Sequence, residues 1–141
     1  MLDKERILAK IDEMEGYSGE LKGIIPDNYE SYERSIEKKR ACERLLHISV
    51  ECVIDICNMV VVGMKMGLPD SEVDIFEKLE KNKIISRKVS DKLKKMRAFR
   101  NVLVHRYGHT DDRTIFDLLK NKLSDFREFS DEILKYLKKS K

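Results

Sequence analysis

Apolar residues recur every three or four positions along most of the chain, with charged residues between them. The first such segment places Ile7, Ile11, Met14 and Leu21 on one face. This period is that of an amphipathic helix, and no segment of the sequence shows the strict apolar–polar alternation of a half-buried strand. The pattern therefore predicts an all-α fold, an up-and-down bundle of four main helices plus one short helix.

Glycine, proline and helix-capping residues divide the pattern into five helices. Their predicted ranges are 2–22, 29–67, 71–82, 86–107 and 111–137, of which the third is the short helix. Ser71 and Ser86 are good N-cap residues for the third and fourth helices. A chain of this length holds one sizeable core, so we expect a single domain over 1–141 with a frayed tail at 138–141.

The second predicted helix has an unusually wide apolar face. Its two adjacent apolar stripes are formed by Leu45, Cys52, Ile56 and Met59, and by Leu46, Val50, Val53, Cys57, Val60 and Met64. Packing against a single neighbour requires a narrower stripe, so this helix should be buried on two sides. In a chain of this size, a second subunit is one candidate for the additional neighbour.

Composition excludes several classes of protein. Of the 141 residues, 41% are hydrophobic, 39% are charged and two are proline, which disfavours both disorder and a turn-rich all-β fold. The longest uninterrupted apolar run, 59–64, is too short to span a bilayer, and the N-terminus has no apolar signal segment. The three cysteines, none of them in a C-x-x-C spacing, are expected to be reduced core thiols of a cytoplasmic protein without membrane contact.

Positive charge is concentrated in one part of the chain. Ten Lys or Arg and one acid, Asp91, give segment 81–106 a charge of +9, which leaves −6 for the rest of a chain whose net charge is +3. Such a segment is typical of a protein that binds a phosphate-bearing partner. The alternative is a solvated helix face whose charges are balanced by acids elsewhere in the fold.

The candidate chemistry lies at the end of this basic segment. At 100° per residue, Arg100 falls inside the apolar stripe of the fourth predicted helix, where a charged residue needs a partner or a cleft. Asn101 and His105 share a different face, and His105 lies about 140° from Arg100. Arg100 and His105 can therefore converge on one ligand only if the helix breaks near His105 or if a second copy of the chain contributes.

A ladder of polar residues crosses the apolar second helix. His47, Glu51 and Asp55 are spaced by four positions, and Asn58 follows three positions later. If the ladder faces inward, its carboxylates can pair with the Arg100 guanidinium and orient it. The alternative is an ordinary polar edge of a surface helix.

Other catalytic chemistries have little support in the sequence. It contains neither an H-E-x-x-H metal motif nor a glycine-rich phosphate loop, so neither a metal nor a cofactor is expected. His105 and His109 are four positions apart, but Gly108 is expected to break the helix between them. Arg, Asn, His and Tyr on a basic helix suit metal-independent cleavage of RNA, because the 2′-hydroxyl supplies the nucleophile and histidine can move its proton.

Segment 100–107 carries an R-x4-H-x-Y pattern, formed by Arg100, His105 and Tyr107. This pattern resembles the motif of the HepT-like toxins, a branch of the HEPN superfamily. The further segments that resemble the family are 43–47, 79–86 and 93–96, within a likeness that extends over about 2–137.

The resemblance implies a homodimeric all-α protein in which two motif-bearing helices form a composite RNase cleft. It also implies a toxin–antitoxin pair whose antitoxin, an MNT-type nucleotidyltransferase, attaches AMP to the motif tyrosine, here Tyr107. Two positions depart from the commonest pattern: His47 stands where many relatives carry Gln, and Arg106 is often acidic in relatives.

Residue roles follow from this resemblance together with the positions above. Arg100, Asn101 and His105 are the expected catalytic residues. The residues expected to bind RNA are Lys92, Lys95, Arg97 and Arg106, and those expected to support Arg100 are Glu51 and Asp55.

A second hypothesis, from another functional class, stays open. Related helical domains accompany nucleotidyltransferases as nucleotide-binding or scaffolding subunits, in which Arg100 and His105 would bind a nucleotide or stabilise the dimer without catalysis. Cleavage of RNA by the purified protein distinguishes the two hypotheses. A nucleotidyltransferase partner does not, because both hypotheses predict one.

Overall fold

The computed structural model describes residues 2–104 and 111–140, which contain helices and no strand. The helices are α1 (Lys4–Ile24), α2 (Tyr29–Arg34), α3 (Ile36–Gly63), α4 (Glu72–Lys81), α5 (Arg87–Val104), α6 (Asp112–Asn121) and α7 (Ser124–Lys139). The all-α prediction is confirmed. His105, Arg106 and Tyr107 lie outside the described residues.

Two of the predicted helices are each divided in two. The helix predicted over 29–67 is broken at Ser35, whose backbone is extended and whose Oγ accepts from the Lys38 amide at 3.1 Å, capping α3. It also ends earlier, at Gly63. The helix predicted over 111–137 is broken between Asn121 and Ser124, where the buried side chain of Leu123 turns into the core.

The tail that the sequence predicts to be frayed, 138–141, overlaps the end of α7 in the structure. Helix α7 continues to Lys139, and the Ser140 carbonyl accepts a hydrogen bond from Nζ of Lys4. This contact ties the end of α7 to the start of α1.

Helix α3 forms the centre of the bundle and packs against α1, α2, α4 and α5. Its fully buried apolar residues lie on more than one face: Cys42, Leu46, Val50, Cys52, Val53, Ile56, Cys57, Val60 and Val61. Burial on two sides is therefore confirmed, but helices of the same chain provide it. The width of this apolar face consequently gives no separate support for a second subunit.

By length and composition alone, α3 is long and apolar enough to cross a bilayer. The sequence expectation counted only uninterrupted apolar residues, whereas an 18-residue window that tolerates two charges does qualify. The core helix of a globular bundle meets the same criterion, and most apolar side chains of α3 are buried against neighbouring helices.

All three cysteines are free and buried on α3. Burial raises the pKa of Cys42 and of Cys52 to about 11, and it raises the pKa of the fully enclosed Cys57 further. The nucleophilic thiolate is therefore scarce at neutral pH, as expected for thiols in a protein core.

The break at Ser35 can be tested by the sign of the change in the free energy of unfolding when Ser35 is replaced. Replacement of Ser35 by Ala removes an N-cap and should lower the free energy of unfolding by about 1 kcal/mol. Within one continuous helix the same change would raise it by up to about 0.5 kcal/mol, because Ala is the better helix former. Urea unfolding measures the difference, and Ser35→Asp, which keeps a capping oxygen, is the control. A stabilised Ser35→Ala protein would contradict the break.

Candidate functional site

The site is built around Arg100, whose side chain is buried on the face of α5 that packs against α3 and α4. Its Nη1 donates to Oε1 of Glu51 on α3, and its Nη2 donates to Oε1 of Glu72 on α4. Charge-assisted bonds from both ends of a planar guanidinium fix its position and its orientation. The expectation that this arginine needs partners is confirmed.

The ion-pair network continues on both sides of Arg100. Nε of Arg97 donates to the same Glu72 oxygen at 2.8 Å. On the other side, Nε2 of His47 lies 3.5 Å from Oε1 of Glu51. The two arginines and the two carboxylates of this network carry no net charge, so the buried cation is compensated inside the protein.

Of the two acids expected to support Arg100, the structure brings only Glu51 to it. Asp55 lies one turn further along α3, where its carboxylate is 3.6 Å from Nζ of Lys10 on α1 and is about half exposed. The ladder therefore turns away from Arg100 within a single helical turn, because different neighbours cover successive turns of α3.

Glu72 was not among the predicted site residues. It is the first residue of α4, and Ser71 caps this helix by accepting from the Asp74 amide at 3.1 Å. A negative side chain is favoured there by the helix dipole, which is a sufficient local reason for a glutamate. Its contact with Arg100 spans 28 positions of sequence, so helical periodicity could not reveal it.

The basic residues expected to bind RNA differ in whether they are already paired with acids of the protein. Nζ of Lys92 donates to Glu128 at 2.6 Å and lies 3.2 Å from Asp125, and the hydrogen bond to Glu128 raises the pKa of Lys92. Arg97 is engaged with Glu72. Lys95 is exposed and has no acidic partner among the described residues.

Asn101 is half buried on α5, directly after Arg100. The positions expected to carry the proton transfer and the modification, His105 and Tyr107, follow the described part of α5 in the sequence, as does Arg106. The structure therefore fixes the arginine half of the R-x4-H-x-Y pattern and the acids around it.

Comparison with known proteins connects this arrangement to a family. The model of the family described as ribonuclease HepT-like matches residues 14–133. YutE of Bacillus subtilis (strain 168), described as a proposed RNase, is 33% identical over 97 residues, which are 69% of this chain and 67% of that protein. The mRNA nuclease HepT of Shewanella oneidensis is 36% identical over 83 residues, which are 59% of this chain and 62% of that protein.

A solved structure shows the same fold. It contains the tri-AMPylated Shewanella oneidensis HEPN toxin in complex with an MNT antitoxin. That toxin chain superposes with a TM-score of 0.86 at 27% sequence identity, over 96% of this chain and 99% of its own length. The resemblance inferred from the sequence is confirmed, since the family model covers the helices that hold Arg100, Glu51 and Glu72. The chain belongs to the ribonuclease HepT-like family.

Proposed function

We propose that this protein is a metal-independent RNase toxin of a toxin–antitoxin pair. Its active site is composed of residues from two copies of the chain, and an MNT-type nucleotidyltransferase antitoxin silences it by attaching AMP to Tyr107. The observation that carries the proposal is the buried guanidinium of Arg100, held by Glu51 and Glu72 at the motif that defines the family resemblance.

The proposed reaction needs no covalent enzyme intermediate. The ribose 2′-hydroxyl attacks the adjacent phosphorus, the bond to the 5′-oxygen breaks, and the products carry a 2′,3′-cyclic phosphate and a 5′-hydroxyl. His105 takes the proton from the 2′-hydroxyl or gives one to the leaving oxygen. Arg100 stabilises the additional negative charge in the transition state, and Asn101 orients the phosphate or the His105 ring.

A preset arginine is an advantage in this reaction. A donor that is already oriented before the substrate arrives requires no reorganisation when charge develops on the phosphate. Glu51 and Glu72 each engage one Nη atom, and each Nη atom has a second hydrogen. The Arg100 guanidinium can therefore keep both carboxylates and still donate to a phosphate oxygen.

The dimer is proposed because Arg100 and His105 lie about 140° apart at helical spacing. The exposed side of α5 carries Ala98 and Val102, and Val102 is 52% exposed. Helical spacing places His105 on this exposed side of α5 and Arg100 on the opposite, buried side. Pairing of two α5 helices along the apolar strip would remove it from water and bring the two copies of His105 close together. A stable interface of this kind buries more than about 1,000 Å² in total.

Replacement of His105 by Ala should lower the rate of RNA cleavage by about 10²- to 10⁴-fold, because general acid–base catalysis is removed. The assay follows a labelled RNA in EDTA, with the equivalent DNA, which lacks the 2′-hydroxyl, as the substrate control. Sedimentation should show dimers of both the wild type and the variant.

Four results would count against the proposed function. Cleavage of the DNA, or complete inhibition by EDTA, would contradict the mechanism, and a wild-type monomer at micromolar concentration would contradict the composite site. If the dimer binds nucleotides but cleaves no RNA under any condition, the non-catalytic subunit hypothesis replaces the nuclease.

Incubation with the cognate nucleotidyltransferase and ATP should place AMP on Tyr107 and stop RNA cleavage. At helical spacing Tyr107 falls on the same face as Arg100, so the added phosphate can pair with Arg100 or Arg106 and the adenosine occupies the space of the RNA. Peptide mass spectrometry locates the AMP, and Tyr107→Phe should stay active after the same treatment. AMP on another residue, or full silencing of Tyr107→Phe by the transferase reaction, would show that Tyr107 is not the switch.

A further inference from the structure

In the folded protein, some of the cations of segment 81–106 are paired with acids and others are not. Cations in the middle of the segment face acids of α4 and α7. These pairs are Lys88 and Lys92 with Glu128, Lys94 with Glu77, and Arg97 with Glu72. Lys83 and Arg87, nearer its start, have no acidic partner among the described residues.

The fold brings two more cations beside these unpaired ones, Lys135 and Lys139 of α7. The four side chains line a cleft of about 520 Å³ between the α4–α5 turn, the first turn of α5 and the end of α7. All four are exposed. The described residues thus gather unpaired positive charge at the end of α5 opposite Arg100.

We call this cleft the α5–α7 cleft. Its lining also includes apolar residues. Ile84 and Ile85 are buried beneath it, and Tyr136 of α7 is half buried at its side. The lining contains two acids, Glu80 and Glu132. Four cations against two acids give the cleft a net charge of +2.

Glu132 is fully engaged by the protein. Its two carboxylate oxygens accept from the amide and the hydroxyl of Ser86, at 2.6 and 2.8 Å. The carboxylate therefore caps the start of α5 and joins α7 to it, which fixes the two walls of the cleft.

We propose that the α5–α7 cleft binds phosphates of a single-stranded RNA substrate outside the cleavage site, with a base stacked on the Tyr136 ring. The inference rests on the proposed function and adds to it a second binding site for the substrate. Unpaired Lys and Arg neutralise phosphates with little sequence preference. An aromatic ring above an apolar floor accepts any base. RNA is favoured over an acidic protein segment because every nucleotide supplies both a phosphate for the cations and a flat base for the ring.

The separation from Arg100 sets a length requirement. Arg87 and Arg100 are on one helix, and thirteen residues at about 1.5 Å each place them about 20 Å apart. A stacked strand advances about 3.4 Å per nucleotide, so about six nucleotides connect the two sites. A substrate much shorter than this can reach Arg100 but not the cleft.

The test compares a 12-nucleotide RNA with a trinucleotide, in the full-length protein carrying Lys135→Gln and Lys139→Gln. We expect kcat/KM for the longer RNA to fall by roughly tenfold, because two phosphate contacts are lost. For the same reason, a plot of the logarithm of its binding constant against the logarithm of the salt concentration should have a slope that is less negative by about 1.4. Cleavage of the trinucleotide should not change. Tyr136→Leu, which keeps apolar bulk, should also weaken only the longer RNA, by about fivefold or more.

The matched control is Lys22→Gln with Lys38→Gln, which removes the same charge from exposed positions on α1 and α3. An equal loss in the control, an equal loss for both RNA lengths, or no loss at all would overturn the proposal. So would an unchanged affinity for RNA combined with weaker association with the nucleotidyltransferase, since the cleft would then be a protein interface.

Binding of the 12-nucleotide RNA to His105→Ala protein, with and without the two lysine changes, separates the two proposals. If the wild type cleaves no RNA, the proposed function fails. The cleft is then judged by this binding alone: weaker binding on loss of Lys135 and Lys139 supports it, and equal binding rejects it.

Discussion

The position of the candidate site depends on one interaction, the buried guanidinium of Arg100 between carboxylates of two other helices. The arginine belongs to α5, and its partners Glu51 and Glu72 belong to α3 and α4. The contact therefore joins three helices at one position. An arginine on the buried stripe of a helix is tolerated only when such partners are present. The local packing and the local chemistry are therefore set by the same three side chains.

This ion-pair network orients the Arg100 guanidinium more than it stabilises the folded protein. The side chain of Arg100 is only 10% exposed, whereas those of Glu51 and Glu72 are 41% and 32% exposed. Water screens the carboxylates, so the favourable ion pairing is smaller than for a fully buried triad. Removal of an acid would nevertheless leave a buried cation with fewer partners, which is costly. The arrangement keeps the guanidinium in one place rather than contributing a large net stabilisation.

The sequence was sufficient for the fold class and for part of the site, for identifiable physical reasons. Helical periodicity depends on local spacing, so it located the helices and placed Arg100 on a buried face. The four-residue ladder pointed to Glu51 for the same reason. The breaks at Ser35 and at 122–123 contain neither Gly nor Pro, so the residues that most often end a helix did not mark them. Glu72 meets Arg100 only through the fold, so no local pattern could reveal it.

The single-turnover rate of RNA cleavage by Arg100→Lys protein tests the central claim most directly. Lysine keeps the positive charge but lacks the planar fork, so it cannot donate in fixed directions to Glu51, Glu72 and a phosphate together. The account predicts a folded protein whose cleavage rate at saturating RNA falls by about 10²-fold or more, as when an oriented transition-state donor is removed. A folded Arg100→Lys protein with a rate close to that of the wild type would contradict it, because a simple point charge would then be sufficient.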